Sequence, residues 1–121
     1  MQDGDRLSRV LRTNPCRLVS ILPDGTITQA NRALLELFGV ESDDDLTGYD
    51  APHFYVDVAD RDHLADLLKD NDVVVGFEAR MRRVDGQVIW VRDTSRRIET
   101  ENGVIFEGAM VDITSQRAIE E

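Results

Sequence analysis

The chain has 121 residues and a formal net charge of -10, from 14 Lys and Arg against 24 Asp and Glu. That length supports one hydrophobic core, the acidic balance repels phosphate backbones and argues against nucleic acid as a partner, and the single cysteine leaves no intrachain disulfide or metal-thiolate cluster. The N-terminus has no apolar stretch that reads as a signal peptide or membrane span, which points to cytoplasmic placement and no direct membrane contact by this segment.

Leu7, Val10 and Leu11 fall on one face of a short helix that Asp3 and Asp5 are placed to cap, and Asn14-Pro15 ends it because the residue before proline is pushed out of the helical region. Arg17 to Ile21 reads as a strand, Pro23-Asp24-Gly25 as a turn and Thr26 to Gln29 as the return strand. Asn31 caps a helix from Arg32 to Phe38, and Gly39 closes it in a left-handed conformation. Ser42 caps an acidic turn at Asp43-Asp44-Asp45, Pro52 interrupts an irregular segment, and Leu64, Leu67 and Leu68 mark a second helix from Asp60 to Lys69.

The period then changes. From Val73 to Arg83 the chain alternates, with Val75, Phe77, Ala79 and Met81 on one face. Asp85-Gly86 and Asn102-Gly103 are hairpin turns that join this segment to the strands Gln87 to Ile98 and Val104 to Asp112. The expected fold class is α+β: a five-stranded antiparallel sheet with short helices inserted between strands two and three and packed on one face. Both faces of the last two strands carry apolar residues, which a one-sided core does not require. A second layer is therefore expected over the outer face.

The order of several short segments carries a family resemblance. They are Pro23-Asp24-Gly25-Thr26-Ile27 with Ala30-Asn31-Arg32-Ala33, then Asp45-Leu46-Thr47-Gly48, Asp60-Arg61, Phe77-Glu78-Ala79-Arg80, Asp85-Gly86-Gln87-Val88-Ile89-Trp90-Val91, and Gly108-Ala109-Met110-Val111-Asp112-Ile113-Thr114. Through them residues 7 to 117 resemble the PAS sensory-domain family. The resemblance implies a flanking helix over 1–14, a sensory core over 15–114 and the start of a linker or output helix over 115–121. It further implies a regulatory, non-catalytic role in signal transduction of the two-component type, a central small-molecule cavity, and a signal junction at Asp112, Ile113 and Thr114. The output domain would lie on a longer natural chain.

Leu34, Phe38, Phe54, Tyr55, Leu64, Leu68, Phe77 and Trp90 are the residues expected to line such a cavity, or simply to fill the core. Trp90 is expected in the core or against a neighbouring helix rather than stacked on a cofactor. Leu7, Val10, Leu11, Ile89, Val91, Ile105 and Val111 form the expected docking face, either for the N-terminal helix or for a second copy in a homodimer. Asp112 reads either as a junction residue paired with Arg92 or Arg96, with Thr114 capping the next helix, or as an ordinary solvated acid.

No haem, flavin or metal cofactor is expected, and the ligand, if the cavity holds one, is an uncoloured small molecule. His63 lies one position early for the proximal ligand of haem-binding relatives and is flanked by Asp62 and Asp66; His53 sits beside Pro52, and the pair makes no metal site. Asn14-Pro15-Cys16-Arg17 lies ahead of the first strand rather than on the helix that carries the reactive cysteine of flavin relatives, so Cys16 is expected to be buried and structural. Glu78 and Asp93 are the best acids for catalysis, but their strands are dense with Arg80, Arg82, Arg92, Arg96 and Arg97, which reads as cross-strand pairing. With no phosphate loop, nucleophile elbow or zinc-hydrolase signature, enzyme chemistry is not expected. Two classes of function follow: a ligand-sensing regulatory domain, or a ligand-independent dimerisation or interaction module.

Overall fold

The computed structural model describes residues 16–41 and 49–120. The expected N-terminal helix with Leu7, Val10 and Leu11, and the capped turn at Ser42 to Asp45, lie outside the described residues. Five strands, β1 (Arg17–Ile21), β2 (Ile27–Ala30), β3 (Val73–Arg82), β4 (Val88–Thr100) and β5 (Gly103–Asp112), form one antiparallel sheet in the order β2-β1-β5-β4-β3. Pairing of β1 with β5 brings the two ends of the domain side by side. The helices α1 (Arg32–Phe38) and α2 (Val58–Asp70), with a 3-10 turn at Ala51–Phe54, occupy the interval between β2 and β3 as the sequence pattern requires.

Local chemistry fixes the elements. The Asn31 side chain caps α1 by accepting from the Leu34 amide at 3.1 Å, and the same oxygen accepts from the Leu18 amide at 3.0 Å, so one buried residue ties helix to sheet. Its amide group also donates to the Cys16 carbonyl. Gly39 ends α1 at φ 77°, where its own amide and that of Val40 return to the last turn of the helix. Asp57 caps α2 through the Ala59 amide at 3.0 Å. Between these helices, hydrogen bonds from Ala51 to the Gly25 carbonyl and from Val56 to the Arg80 carbonyl stitch the 3-10 segment to the β1–β2 turn and to β3.

The structure corrects two details of the strands. β4 runs on to Thr100, so the β4–β5 hairpin is longer than its apolar pattern suggested. In β3, Val74 sits opposite Ser95 and Phe77 opposite Asp93, three steps on one strand against two on the other. This is a bulge. Gly76 adopts φ 70° there and donates to the Thr94 hydroxyl at 3.2 Å. Val75 is consequently thrown outward and is 78% exposed, instead of sharing a face with Phe77, Ala79 and Met81.

The core lies between the inner sheet face and the helices. Val19, Ala79, Met81, Ile89, Val91 and Met110 from the sheet meet Leu34, Leu35, Leu37, Phe38, Phe54 and Tyr55 from the helical layer. Burial alternates along β4, with Ile89, Val91, Asp93 and Ser95 buried and Val88, Thr94 and Arg96 exposed. On the outer face a C-terminal helix, α3 (Thr114–Glu120), packs against β4. Among the described residues no helix is long and apolar enough to cross a membrane.

Candidate functional site

A cavity of about 60 Å³ opens between α1, the 3-10 turn, α2 and the inner sheet face. Roughly 10–15 Å³ of such space seats one water, so this cavity holds about four to six non-hydrogen atoms. It is far smaller than the roughly 300–1,000 Å³ of sites that bury drug-sized molecules. Its walls are mostly apolar: Val19, Ile21 and Ile27 from the first hairpin, Leu34 and Phe38 from α1, Phe54 and Tyr55 from the 3-10 segment, and Leu64, Ala65 and Leu68 from α2. Phe38 and Phe54 meet with ring centroids 5.0 Å apart at 55°. β3 adds Met81, and β5 adds Phe106, Gly108 and Met110.

Four polar residues reach this apolar lining: Tyr55, Arg61, Asp93 and Ser95. Asp93 and Ser95 project inward because they continue the buried parity of Ile89 and Val91. Asp93 Oδ2 accepts from the Ser95 hydroxyl at 2.9 Å. Its Oδ1 is buried without a hydrogen-bond partner. Burial pushes the Asp93 carboxyl up to about 6, against the smaller downward pull of the Ser95 hydrogen bond. Burial, followed by the Asp93 charge, likewise raises the Tyr55 hydroxyl, with Arg61 opposing. The Arg61 guanidinium itself reaches the β1–β2 turn, donating to the Pro23 carbonyl at 3.1 Å.

Sequence reasoning grouped Asp93 with the arginine-paired surface acids; the structure separates it from them. Glu78 is the paired acid, taking both Arg92 at 3.0 Å and Arg117 at 3.0 Å, and hydrogen bonding from Arg92 holds its carboxyl below the usual range. Of the expected lining residues, Leu34, Phe38, Phe54, Tyr55, Leu64 and Leu68 surround the cavity. Phe77 instead packs at the edge of the core beside the β3 bulge, with the exposed His63 ring edge-on to it at 5.6 Å. Trp90 faces the opposite way, beneath the Arg117 guanidinium at 3.8 Å. Ile89 and Val91, expected on the docking face, are core residues. Strand parity is the reason: Val111 opposes Arg92 and Ile105 opposes Ile98, so the outer face of β4 is the face of Trp90, not of Ile89.

At the C-terminal end, Asp112 Oδ1 accepts from the Thr114 amide at 2.9 Å and from its hydroxyl at 2.6 Å. The Thr114 hydroxyl oxygen also accepts from the Trp90 amide at 2.9 Å, and the Ile113 amide donates to the Trp90 carbonyl at 2.9 Å. Asp112 therefore does not pair with Arg92 or Arg96, which are held by Glu78 and by Glu107 at 3.1 Å. Thr114 is the first residue of α3 rather than the residue before it. Cys16 is exposed, contrary to expectation, because it precedes the first paired residue of β1. His53 is exposed outside the cavity lining, with its ring against Tyr49 and Phe54. Among the described residues no group of three or more His, Cys, Asp or Glu is arranged to hold a metal ion.

This architecture, with its helices inserted after the second strand and β1 returned beside β5, is matched at the level of sequence: the profile of the PAS domain family aligns with residues 15–115. The chain belongs to the PAS family. PAS domains are sensory, non-catalytic modules, and that coarse role holds here. Solved structures agree on the fold. A PAS domain from a two-component sensor histidine kinase superposes with a TM-score of 0.78 at 14% identity, covering 92% of this chain and 96% of that one. The PAS domain of an HTR-like protein from Haloarcula marismortui gives 0.77 at 21% identity, covering 93% of each. A LOV protein from Rhodobacter sphaeroides gives 0.76 at 14% identity, covering 93% of this chain and 67% of that one. No curated protein sequence matches the chain.

Proposed function

We propose that this PAS domain is a sensory input module in which a small molecule occupies the cavity and alters the seating of α3, and through it an output domain further along a longer natural chain. One observation carries the reading: β5 belongs to both places. Phe106, Gly108 and Met110 line the cavity, and two residues later Asp112 caps α3. Asp93 pairs with Met110 and Val91 with Asp112, so a shift of the cavity wall by a fraction of an ångström is passed along paired backbone rather than through loose side chains. Similar chains include domains of sensor histidine kinases, which supports an output partner of the two-component type. Pairing of two copies across the outer sheet face belongs to the same reading, supported by Ile105 and the 52% exposed Val111 on that face.

Control by a ligand requires that it bind two states of the domain unequally. Native mass spectrometry of purified protein tests for a retained small molecule, and hydrogen exchange at α3 reads the coupling. Filling the cavity with Ala65→Leu is expected to displace the ligand and change exchange at α3. No retained molecule, together with α3 exchange indifferent to the filled cavity, would sink the sensory reading and leave the ligand-independent dimerisation module.

A further inference from the structure

The inner wall of the cavity carries a carboxylate that forms no ion pair among the described residues; Arg17, on the same row of the sheet beyond Met110, has its own Nε buried without a partner. Asp93 Oδ1 is enclosed and unpartnered, and its other oxygen is already taken by Ser95. The site is shaped around this group. A Cβ on Gly108 would lie 2.9 Å from Asp93 Oδ1 and 3.1 Å from Ser95 Oγ, so only a residue without a side chain on the neighbouring strand leaves the carboxyl room to stand open to the cavity. The one cationic residue of the described lining does not answer it. Arg61 lies toward the rim, where its guanidinium is held by the Pro23 carbonyl and acts on the Asp24 carboxylate.

The rest of the wall suits a cation. Phe38, Phe54 and Tyr55 bring aromatic rings to the same space, and the negative face of such a ring attracts an ammonium group. Leu64, Leu68 and Val19 supply apolar surface for a hydrocarbon tail. A neutral hydroxyl would fill the open lone pair of Oδ1 but leave a buried charge uncompensated, and an anion would meet like charge in a low-dielectric space. Of these three, an ammonium group alone supplies both the hydrogen-bond donor and the countercharge.

We propose that the cavity takes a small organic cation of the alkylammonium class, its N–H groups donating to Asp93 Oδ1 and its carbon chain packed between the aromatic and aliphatic walls. The proposal rests on the sensory reading above and narrows its ligand. The size of the cavity sets a limit of about four to six non-hydrogen atoms without rearrangement.

The test is a charge series of similar size, n-butylammonium, 1-butanol and butyrate, titrated into the wild-type domain near neutral pH and followed by amide chemical shifts of β4 and β5. A charge-assisted bond in place of a neutral one predicts that butylammonium binds roughly tenfold more tightly than butanol. Butyrate is expected not to bind. Asp93→Asn keeps the shape and is expected to erase the difference between butylammonium and butanol, with the amide spectrum confirming that the variant is folded. Equal binding of butanol and butylammonium, preferred binding of butyrate, no binding of butylammonium, or an unchanged preference in Asp93→Asn would each overturn the proposal. If these fail while native mass spectrometry finds a retained neutral or anionic molecule, the cation is wrong and the sensory reading stands; if no molecule is retained and α3 ignores the filled cavity, the sensory reading falls as well.

Discussion

Replacing Asp93 by asparagine should make the free domain more stable at neutral pH and not at acid pH. The carboxyl ionises near 3.8 when exposed and at about 6 in the fold, because burial penalises the charged form more than the Ser95 hydrogen bond favours it. Below the unfolded value both states hold the proton and the group contributes no pH dependence. As pH rises from about 4 to about 6 the unfolded chain releases its proton while the folded one retains it, so stability falls across that window and levels off above it. The interval corresponds to roughly 3 kcal/mol at neutral pH. The acids Asp24, Glu78 and Asp85 have lowered carboxyl values in the fold and push the opposite way, but they are common to both proteins and cancel in the difference. Urea unfolding of wild type and Asp93→Asn at pH 4, 5, 6, 7 and 8 should therefore give curves that lie within about 1 kcal/mol at pH 4 and separate by up to about 3 kcal/mol at pH 7, with the variant the more stable. Parallel curves, or a less stable variant at pH 7, would refute the claim that Asp93 is buried as an uncompensated charge.

Three further outcomes follow from the same geometry. Leu68→Ala removes a fully buried side chain from the cavity wall and should cost about 2–5 kcal/mol in urea unfolding with the m-value unchanged; a loss under about 1 kcal/mol would mean that the wall collapses to fill the gap. Asn31→Ala strips the acceptor from both the Leu18 and Leu34 amides and should cost roughly 2–4 kcal/mol, with Asn31→Ser intermediate because the shorter side chain restores only the helix cap, an ordering that chemical denaturation can check. Arg117→Ala removes the guanidinium over Trp90 and its bond to Glu78, so amides of α3 should exchange at least roughly two- to fivefold faster and Trp90 emission should shift, whereas unchanged exchange would show that Thr114 and Ile113 alone seat the helix.

What was legible in the sequence was whatever a single residue type decides locally. Asp85-Gly86 and Asn102-Gly103 specify their hairpins because glycine supplies the positive φ, here 92° at Gly86 and 116° at Gly103. Asn31 and Gly39 bound α1 for equally local reasons. The helical wall of the cavity was readable from the stripe through Leu34 and Phe38 and from Leu64 and Leu68. The sheet wall was not. Val88, Ile89, Trp90 and Val91 are consecutive and apolar, so alternation cannot say which parity faces inward, and reading it one residue out sends Ile89 and Val91 outside and hides Asp93 among surface acids. Only the pairing register resolves it. The β3 bulge adds a second slip that composition masks, since Val75 looks like any other core valine and only Gly76 beside it signals a break.

That parity also places a carboxylate where the isolated fold gains nothing from it. An isolated domain would be more stable with an uncharged residue at 93, and an occupant that answers the charge would remove that cost. Asp93 stands opposite Met110 on β5, and Asp112, two residues on, holds the first residue of α3. In the coupling proposed above, an occupant that neutralises the carboxylate relaxes the wall that carries Met110, and the connected contacts run along β5 to the Asp112–Thr114 bonds and across to Trp90, on which Arg117 rests. On that proposal, charge at the cavity and seating of the helix are two readings of one strand. Asp93→Asn, which supplies the neutralised state permanently, should hold α3 in the liganded exchange pattern without ligand, and an α3 that exchanges as in the unliganded wild type would break the link between them.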